Sequence, residues 1–208
     1  MKKISATKTK ILQNALELFN NQDTFSITTN HIANHAKLSP GNLYYHYKNK
    51  EEIIIDIYLM MSSEFESFNS FELILSSDNP IKILSHMYDK YGELFLKYKC
   101  LIRDIGGLIA LYPRLKSEFL QRQEKRIVQI EGLFHYFLQL GIIELREDEI
   151  NLRAKLNWFI SSYWQVFSST FDDVSFQSIK EAKIIIFQIL LYPILTPKGK
   201  EFYDQLNR

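Results

Sequence analysis

A cluster of polar-tipped aromatic side chains follows a Pro-Gly break in the segment LSPGNLYYHYKNKEE, residues 38–52. Tyr44, Tyr45 and His46 carry hydroxyl and imidazole groups, which hydrogen-bond to anions and to polar edges of ligands. Asn42, just before them, has an amide that both donates and accepts. A buried helix would not carry so many polar tips, and a plain surface helix would use Glu, Lys and Ala. The segment is therefore a candidate recognition surface.

Composition places this segment in a chain with enough apolar material for a substantial core. The chain has 208 residues, 46% hydrophobic and 14% aromatic, which allows one long domain or a small domain joined to a larger one. Its single cysteine, Cys100, rules out an intrachain disulfide and is typical of the reducing cytoplasm. No secretory signal is visible, and the longest apolar run is shorter than the roughly 20 residues of a membrane span. We expect a soluble cytoplasmic protein with no membrane partner.

Charge is unevenly distributed, although the formal net charge is only +1. Residues 1–50 contain seven lysines against Glu17 and Asp23, a net charge of +5, and the remaining residues sum to −4. A basic head on a mildly acidic body is typical of a protein that meets a polyanion with one end. Chance clustering of lysines is the alternative.

Helical spacing of apolar residues runs through almost the whole chain, and we predict an all-α fold. Three short helices come first and about six longer ones follow. The predicted ranges are about 5–21, 29–36, 40–47, 51–68, 81–98, 101–111, 113–140, 148–170 and 175–192. Gly141 is predicted to end the seventh helix, and Pro193 and Pro197 to close the pattern. We expect a three-helix domain at residues 1–50 and a larger helical domain at 51–208.

Two short helices joined by a tight turn, the second beginning near Pro40, form a candidate helix-turn-helix. The second helix of that motif enters the major groove, where residues near its N-terminus reach base edges. Those residues are Ser39, Pro40, Gly41 and Asn42, and the amide of Asn42 can pair with adenine. Leu43 and Tyr47 are expected to pack on the first helix. The groups left to contact phosphates or bases are those of Tyr44, Tyr45, His46 and Lys50.

The segment TTNHIANHAKLSPGNLYYHYKNKEEI, residues 28–53, resembles the DNA-binding signature of the TetR family of bacterial repressors. The likeness extends over residues 5–55 and includes both residue types and their spacing. It implies that Thr28 and Thr29 touch phosphate at the start of the second helix. Asn30 stands where some members carry a basic base-reading residue, so their sequence preference does not carry over.

From about residue 51 the resemblance is one of helix lengths, which implies an effector-binding and dimerisation domain. The segment LIRDIGGLIALYPRLKSEF, residues 101–119, is similar to a segment in a subgroup of these regulators. The last two long helices are too apolar for the surface of a monomer and favour a two-fold dimer, the alternative being core helices of a monomer. The predicted interface comprises Leu156, Phe159, Ile160, Tyr163, Phe167, Ile185, Ile186, Ile189 and Leu190.

Aromatic residues of the larger domain suit a cavity for a small organic effector, although each is also compatible with plain core. The candidates are Tyr88, Tyr91, Phe95, Arg103, Asp104, Phe134, Phe137, Trp158 and Trp164. Arg103 and Asp104 lie in an apolar segment and need partners if buried, either other residues or an effector.

No catalytic, cofactor or metal site assembles from the sequence. His31 and His35 have a spacing that can hold a metal, but no carboxylate ligand lies near them in sequence. We therefore predict a non-enzymatic, homodimeric, ligand-responsive transcriptional repressor. It would bind a palindromic double-stranded DNA operator and be released by a small-molecule effector. The alternatives are a small-molecule-binding protein with a non-regulatory helix-turn-helix and a helical adaptor that binds an acidic protein.

Overall fold

A computed structural model describes residues 5–68 and 71–207. Over these residues the chain is mainly helical and contains no β-strand, which confirms the all-α prediction. The α-helices are α1 (Ala6–Asn21), α2 (Thr29–His35), α3 (Pro40–His46), α4 (Lys50–Phe68), α5 (Phe71–Leu75), α6 (Pro80–Lys97), α7 (Lys99–Leu111), α8 (Pro113–Gln139), α9 (Ile150–Ser168), α10 (Phe176–Ile184) and α11 (Pro197–Asp204). None of the described helices is long and apolar enough to cross a lipid bilayer.

The structure departs from the predicted helices mainly after residue 140. The helix predicted over 148–170 begins later, at Ile150, and Asp148 lies in a 3₁₀ turn, Glu147–Glu149, that precedes it. The helix predicted over 175–192 is α10 followed by a π-helical segment, Ile185–Leu191. Helices α5 and α11 were not predicted, because α5 has only five residues and Pro197 was interpreted as a terminator. Pro197 instead occupies the first turn of α11, where proline is well tolerated.

The chain divides into two compact units. Unit 1 comprises Met1–Glu64 and Tyr98–Glu118, and unit 2 comprises Phe65–Lys97 and Phe119–Arg208. The boundary predicted after residue 50 therefore falls inside unit 1, because the first part of α4 and all of α7 group with α1–α3.

The buried residues of unit 1 begin with one face of α1. Ile11, Leu12, Ala15 and Phe19 are each at most 1% exposed, and they form the apolar stripe that the sequence predicts for the first helix. The N-terminus of this helix is capped by Ser5, whose hydroxyl accepts a hydrogen bond of 3.2 Å from the backbone N–H of Lys8. Helix α1 packs against both α2 and α7. Helix α1 thus provides the surface against which α2 packs.

Unit 2 has its own apolar core. Its fully or nearly fully buried members include Ile74, Ile81, Phe137, Ile142, Ile143 and Phe187. Near this core, the chain that leaves α8 pairs with the chain that enters α11 through an isolated antiparallel bridge between Ile143 and Leu195. The bridge and the helices around it hold the two ends of the α9–α10 region together.

Gly141 ends α8 in a left-handed conformation, with a φ of 63°. Its N–H donates to the carbonyl of Leu138 at 2.9 Å, and the N–H of Ile142 donates to the carbonyl of Phe137 at 2.9 Å. This pair of bonds is the glycine-dependent helix end that the sequence predicts at Gly141.

Gly141→Ala is expected to lower the free energy of unfolding by about 1–2 kcal/mol, the cost of a left-handed alanine. A methyl group at this position would meet no atom within 4 Å, so the loss is one of backbone conformation. Gly132→Ala, within α8, is the matched control, because a methyl group there is equally unobstructed. It should raise the free energy of unfolding by roughly 0.5–1 kcal/mol. Urea unfolding followed by circular dichroism measures both, and changes of the same sign would contradict this account.

Candidate nucleic-acid interface and candidate ligand cavity

Side-chain caps in unit 1 fix the starts of α2 and α3. Thr28 precedes α2, and its hydroxyl accepts a hydrogen bond of 3.2 Å from the backbone N–H of His31. Ser39 precedes α3 and accepts a bond of 3.2 Å from the backbone N–H of Asn42, while Pro40 occupies the first turn. Each cap satisfies a backbone donor that a helix N-terminus leaves without a partner.

The turn between α2 and α3 is centred on Lys37, whose φ of 52° lies in the left-handed region. The N–H of Lys37 donates to the carbonyl of Asn34 at 3.0 Å, and the N–H of Leu38 donates to the carbonyl of Ala33 at 2.9 Å. These bonds close the end of α2 and redirect the chain within a few residues. The result is the short connection of a helix-turn-helix.

Helix α3 turns one side to the core and the other to solvent. Leu43 is fully buried, and Tyr47, directly after the helix, is 2% exposed. Gly41 and Asn42 are exposed, and Tyr45 is 84% exposed. The start of α3 therefore offers a short stretch of backbone, an amide and a phenol to a ligand, as a recognition helix does to DNA.

The other predicted contact residues lie on α2 and α3 as well. The hydroxyls of Thr29 and Tyr44 share a hydrogen bond of 3.0 Å, which joins the first turn of α2 to α3. The ring of His46 packs edge-on against Tyr45, with centroids 5.0 Å apart. Asn30 is exposed. The contacts of all these residues with DNA stay predictions.

Tyr47 supports α3 from the inside. Its hydroxyl donates to Oδ2 of Asp56 at 2.9 Å, and burial together with this carboxylate raises the pKa of Tyr47. The ammonium of Lys8 lies 4.6 Å from the centroid of the Tyr47 ring and 3.8 Å from Oδ2 of Asp56. One residue from α1 and one from α4 thus hold the end of α3 in place.

The structure contradicts the predicted phosphate contact of Lys50. Its ammonium donates to three backbone carbonyls in the loop between α1 and α2, those of Thr24 at 3.0 Å, Phe25 at 3.0 Å and Ile27 at 2.8 Å. A lysine ammonium has three N–H donors, so none remains for a phosphate. Burial lowers the pKa of Lys50, because a low-dielectric environment disfavours the charged form.

Arg103 and Asp104, on α7, hold the same loop. The carboxylate of Asp104 accepts a hydrogen bond of 2.6 Å from the hydroxyl of Thr24 and one of 3.2 Å from its N–H. The guanidinium of Arg103 donates to the carbonyls of Phe19 at 3.1 Å and Gln22 at 2.8 Å, and also to Asp104. Both charges therefore have the structural partners that the sequence left open as one alternative, and the structure does not place them at the cavity of unit 2.

Two further contacts join α7 to α1 and its following loop. The side-chain oxygen of Asn20 accepts a hydrogen bond of 3.0 Å from the N–H of Cys100 near the start of α7. Gly107 faces the ring of Phe25, and a methyl group on it would lie 2.6 Å from Cζ of that ring. Gly107 thus permits the close approach of Phe25.

Unit 2 contains a cavity of about 90 Å³ that is lined mainly by apolar and aromatic side chains. Six of the nine predicted cavity residues line it, namely Tyr88, Tyr91, Phe95, Phe134, Phe137 and Trp158. Trp164 is not part of the lining, and Arg103 and Asp104 belong to unit 1. Burial raises the pKa of Tyr88 and of Tyr91, so both phenols stay neutral. Binding of a ligand here stays a prediction.

The cavity wall also contains polar residues that were not predicted from the sequence. They are Arg126, Gln129, Arg153, Asn157 and Ser161. Three of them lie on α9 at intervals of four residues, which places their side chains along one side of a helix. That spacing is visible in the sequence. The larger apolar residues of α9 dominate the pattern, however, and they indicate an interface instead of a cavity wall.

Helix α9 also carries an exposed apolar stripe. Leu152, Leu156, Phe159 and Phe167 are 70%, 39%, 56% and 54% exposed, respectively, and Tyr163 stacks on Phe159 with ring centroids 5.7 Å apart. Several large apolar groups on one helix side form a patch of the kind that marks interaction surfaces.

The other residues predicted for the interface divide between surface and core. Ile189 is 64% exposed, whereas Ile186 is 3% exposed and belongs to the core of unit 2. Ile160 and Leu190 are partly buried against that core, and Ile185 is partly exposed. Ile186 therefore does not offer its side chain to a second subunit, because that side chain is buried within unit 2.

The histidines of α2 have protein partners. Nδ1 of His31 accepts a hydrogen bond of 3.4 Å from the N–H of Thr28, and Nε2 of His35 lies 3.2 Å from a carboxylate oxygen of Glu17. Among residues 5–68 and 71–207, no three His, Cys, Asp or Glu side chains are grouped as metal ligands.

Lys50→Met, which keeps the aliphatic stem and removes the ammonium, is expected to lower the free energy of unfolding by about 1.5–3 kcal/mol, since it leaves three loop carbonyls without their donor. Lys48→Met is the matched control, because Lys48 is exposed and its ammonium has no described hydrogen-bond partner. It should change that free energy by less than about 0.5 kcal/mol. Urea unfolding decides, and equal losses for the two variants would remove the structural role of Lys50.

Comparison with known proteins gives two family matches. Residues 11–57 match the family described as "Bacterial regulatory proteins, tetR family", and residues 66–203 match the one described as "Bacterial transcriptional repressor". No curated protein matches the chain.

Solved structures show the same architecture. A TetR-family transcriptional regulator from Marinobacter aquaeolei VT8 is 27% identical, with 98% of each chain covered and a TM-score of 0.80. The SmeT–triclosan complex is 16% identical, covers 94% of each chain and has a TM-score of 0.63. A gamma-butyrolactone receptor (ArpA-like protein) is 15% identical, with 96% of this chain and 93% of that chain covered and a TM-score of 0.67. At such identities the latter two share the fold. The resemblance found in the sequence is confirmed, and the chain belongs to the TetR family of bacterial transcriptional regulators, which are not enzymes.

Proposed function

We propose that this regulator is a homodimeric repressor that binds a palindromic DNA operator through α2 and α3 and is released by a small-molecule effector. The observation that supports it most is the exposed start of α3, where Gly41, Asn42 and Tyr45 face solvent on a helix whose other side is held by buried Leu43 and Tyr47. Backbone and amide groups in that position suit base edges in the major groove. Such a protein works in the cytoplasm, where the chromosome is.

The exposed stripe of α9 supports the dimer. Phe159 and Phe167, together with Leu152, are each more than half exposed, and exposed apolar groups along one helix side are typical of an interaction surface. A two-fold axis through this stripe would bury the same residues of both subunits. On a palindromic operator, the two α3 helices of a dimer would enter successive major grooves about 34–36 Å apart.

The cavity of unit 2 supports an effector. SmeT, which shares the fold, has been solved with triclosan, and another similar structure is a gamma-butyrolactone receptor. Helix α4 carries Lys50, which anchors the loop before α2, and Phe65, which lines the cavity. An effector acts through such a helix only when it binds the DNA-free state more tightly than the DNA-bound state.

The test is a gel-shift of the purified protein against DNA from its own upstream region, with a salt titration and a footprint. A repressor should protect a short palindrome, and its affinity should fall steeply with salt as counterions return to the phosphates. Diffuse binding without a protected palindrome, there and on fragments selected from the whole genome, would favour a ligand-binding protein that does not regulate.

Asn42→Ala is expected to change the preferred operator sequence, with a loss of about 1–3 kcal/mol of discrimination at one base pair, because the amide would no longer pair with a base edge. Asn34→Ala, which removes the same amide from an exposed position at the end of α2, is the control and should leave the preference unchanged. Selection from a randomised operator library measures both. An unchanged preference in the Asn42 variant would remove this residue from base readout.

Phe159→Glu is expected to raise the dissociation constant of the dimer at least about 30-fold, because a charge would enter the centre of a buried apolar contact. Leu73→Glu is the control, since Leu73 is 57% exposed on α5, apart from the stripe. Sedimentation velocity over a concentration series gives both constants. A dimer equally stable in both variants would place the interface elsewhere.

A further inference from the structure

The wall of the unit 2 cavity carries positive charge. Two arginines line it, Arg126 and Arg153, and none of the described lining residues is acidic. Arg126 has an ion-pair partner within the protein. Its guanidinium donates to Oε1 of Glu66 at 2.7 Å and to Gln129, and it lies 3.9 Å from the ring centroid of Phe65. Burial opposes ionisation of Glu66, but hydrogen bonding and charge from Lys125 and Arg126 outweigh it and lower the pKa of that carboxyl.

Arg153 differs from Arg126 in its partners. Its described hydrogen bonding consists of a single long contact of 3.4 Å from one guanidinium nitrogen to the carbonyl of Leu190, and it forms no ion pair with a described residue. A guanidinium has five N–H donors in a planar fork. Most of the donor capacity of Arg153 is therefore unused at the wall of an apolar cavity.

The polar neighbours of Arg153 on α9 are both hydrogen-bonded to Tyr88. Asn157, one turn further along, accepts a hydrogen bond of 2.8 Å from the hydroxyl of Tyr88, and Ser161 also hydrogen-bonds to that tyrosine. The row of polar residues on α9 thus contains two groups occupied within the protein and one charged group that is not.

The acceptor of Arg153 belongs to an unusual element. Leu190 lies in the π-helical segment Ile185–Leu191, which also contributes Ile186 and Leu191 to the cavity wall. π-Helical turns are rare, and they occur frequently at functional sites. This segment is a second observation, independent of charge, that points to the same side of the cavity.

We propose that the cavity binds a small amphipathic carboxylic acid as its anion, with the carboxylate on the guanidinium of Arg153 and the apolar body among the aromatic side chains. The proposal rests on the assignment of this cavity as the effector site. A carboxylate matches the planar fork of arginine with two parallel hydrogen bonds. A cation would instead meet the positive charge of Arg153, which forms no ion pair with a described residue.

The size of the cavity favours a compact ligand. One water molecule occupies about 10–15 Å³ of such a cavity, so a cavity of about 90 Å³ has room for roughly six to nine water molecules. Octanoate and 4-phenylbutyrate are probes of suitable size, and 1-octanol and 4-phenyl-1-butanol are their neutral counterparts. Each pair differs only in the group that would meet Arg153.

Tryptophan fluorescence gives a local readout. The chain has two tryptophans, and Trp158 lines the cavity whereas Trp164 does not. The indole N–H of Trp164 is buried without a hydrogen-bond partner among the described residues, so Trp164→Phe is expected to be tolerated and leaves Trp158 as the single reporter. All titrations are made in this background, on the full chain without DNA.

In this background each carboxylate should bind at least about tenfold more tightly than its alcohol, the value of one charge-assisted hydrogen bond. Arg153→Gln should abolish that difference and leave the affinity for the alcohols within about twofold, which also shows that the variant is folded. Arg153→Lys should retain part of it, because the charge remains and the fork is lost. Lys155→Gln, which removes one charge from an exposed position two residues away on α9, should retain all of it.

Equal affinity for acids and alcohols, no binding of either acid, or a preference that survives in Arg153→Gln would each overturn the proposal. Because these titrations contain no DNA, they stand apart from the operator gel-shift. A protein that prefers the carboxylates but never binds an operator would retain this ligand site and lose the proposed repressor function.

Discussion

The candidate nucleic-acid interface depends on the three hydrogen bonds that the ammonium of Lys50 donates. Its three donors are all used on carbonyls of the loop between α1 and α2, and that loop ends at Thr28, the residue that caps α2. Asp104 holds the same loop from α7 through both the hydroxyl and the N–H of Thr24. Backbone carbonyls in a partly buried loop need donors, since an unsatisfied group costs about 1–3 kcal/mol. One lysine therefore supplies what several waters would otherwise supply, and it does so in a fixed geometry.

The same rule of satisfied polar groups orders unit 2. Tyr88 is matched by Asn157, and Arg126 by Glu66 and Gln129, so that charges and hydroxyls inside an apolar wall have partners. Paired groups of this kind contribute little to ligand binding, because a ligand would first have to break the existing hydrogen bond. Discrimination between ligands would then depend on groups with spare hydrogen-bonding capacity, such as Arg153, whose described partner is a single carbonyl at 3.4 Å.

Local features were predictable because each is decided by neighbours in the chain. Ser39 with Pro40 marks the start of α3, and Gly141 marks the end of α8, through bonds that span only a few residues. The buried stripe of α1 follows from helical spacing alone. The division of the Leu43–Tyr47 stretch into buried and exposed side chains was predictable on the same ground, since a helix repeats every 3.6 residues. Six cavity residues could be predicted because large aromatic side chains are more often buried than exposed.

Partners that are distant in sequence were not predictable from a single chain. Thr24 and Asp104 are separated by 80 residues, and the sequence around either residue does not indicate that the two are in contact. Lys50 illustrates the resulting error, since a lysine beside a recognition helix has two available acceptors, a DNA phosphate and a backbone carbonyl, and only the fold decides which is nearer. The π-helical segment poses the same problem in another form. A run of isoleucines and leucines is apolar in every hydrogen-bond register, so composition cannot show that Ile186 turns inward while Ile189 faces solvent. Widening the turn by one residue rotates every later side chain about the axis, and the inside and outside of that helix are set by a register that only tertiary packing selects.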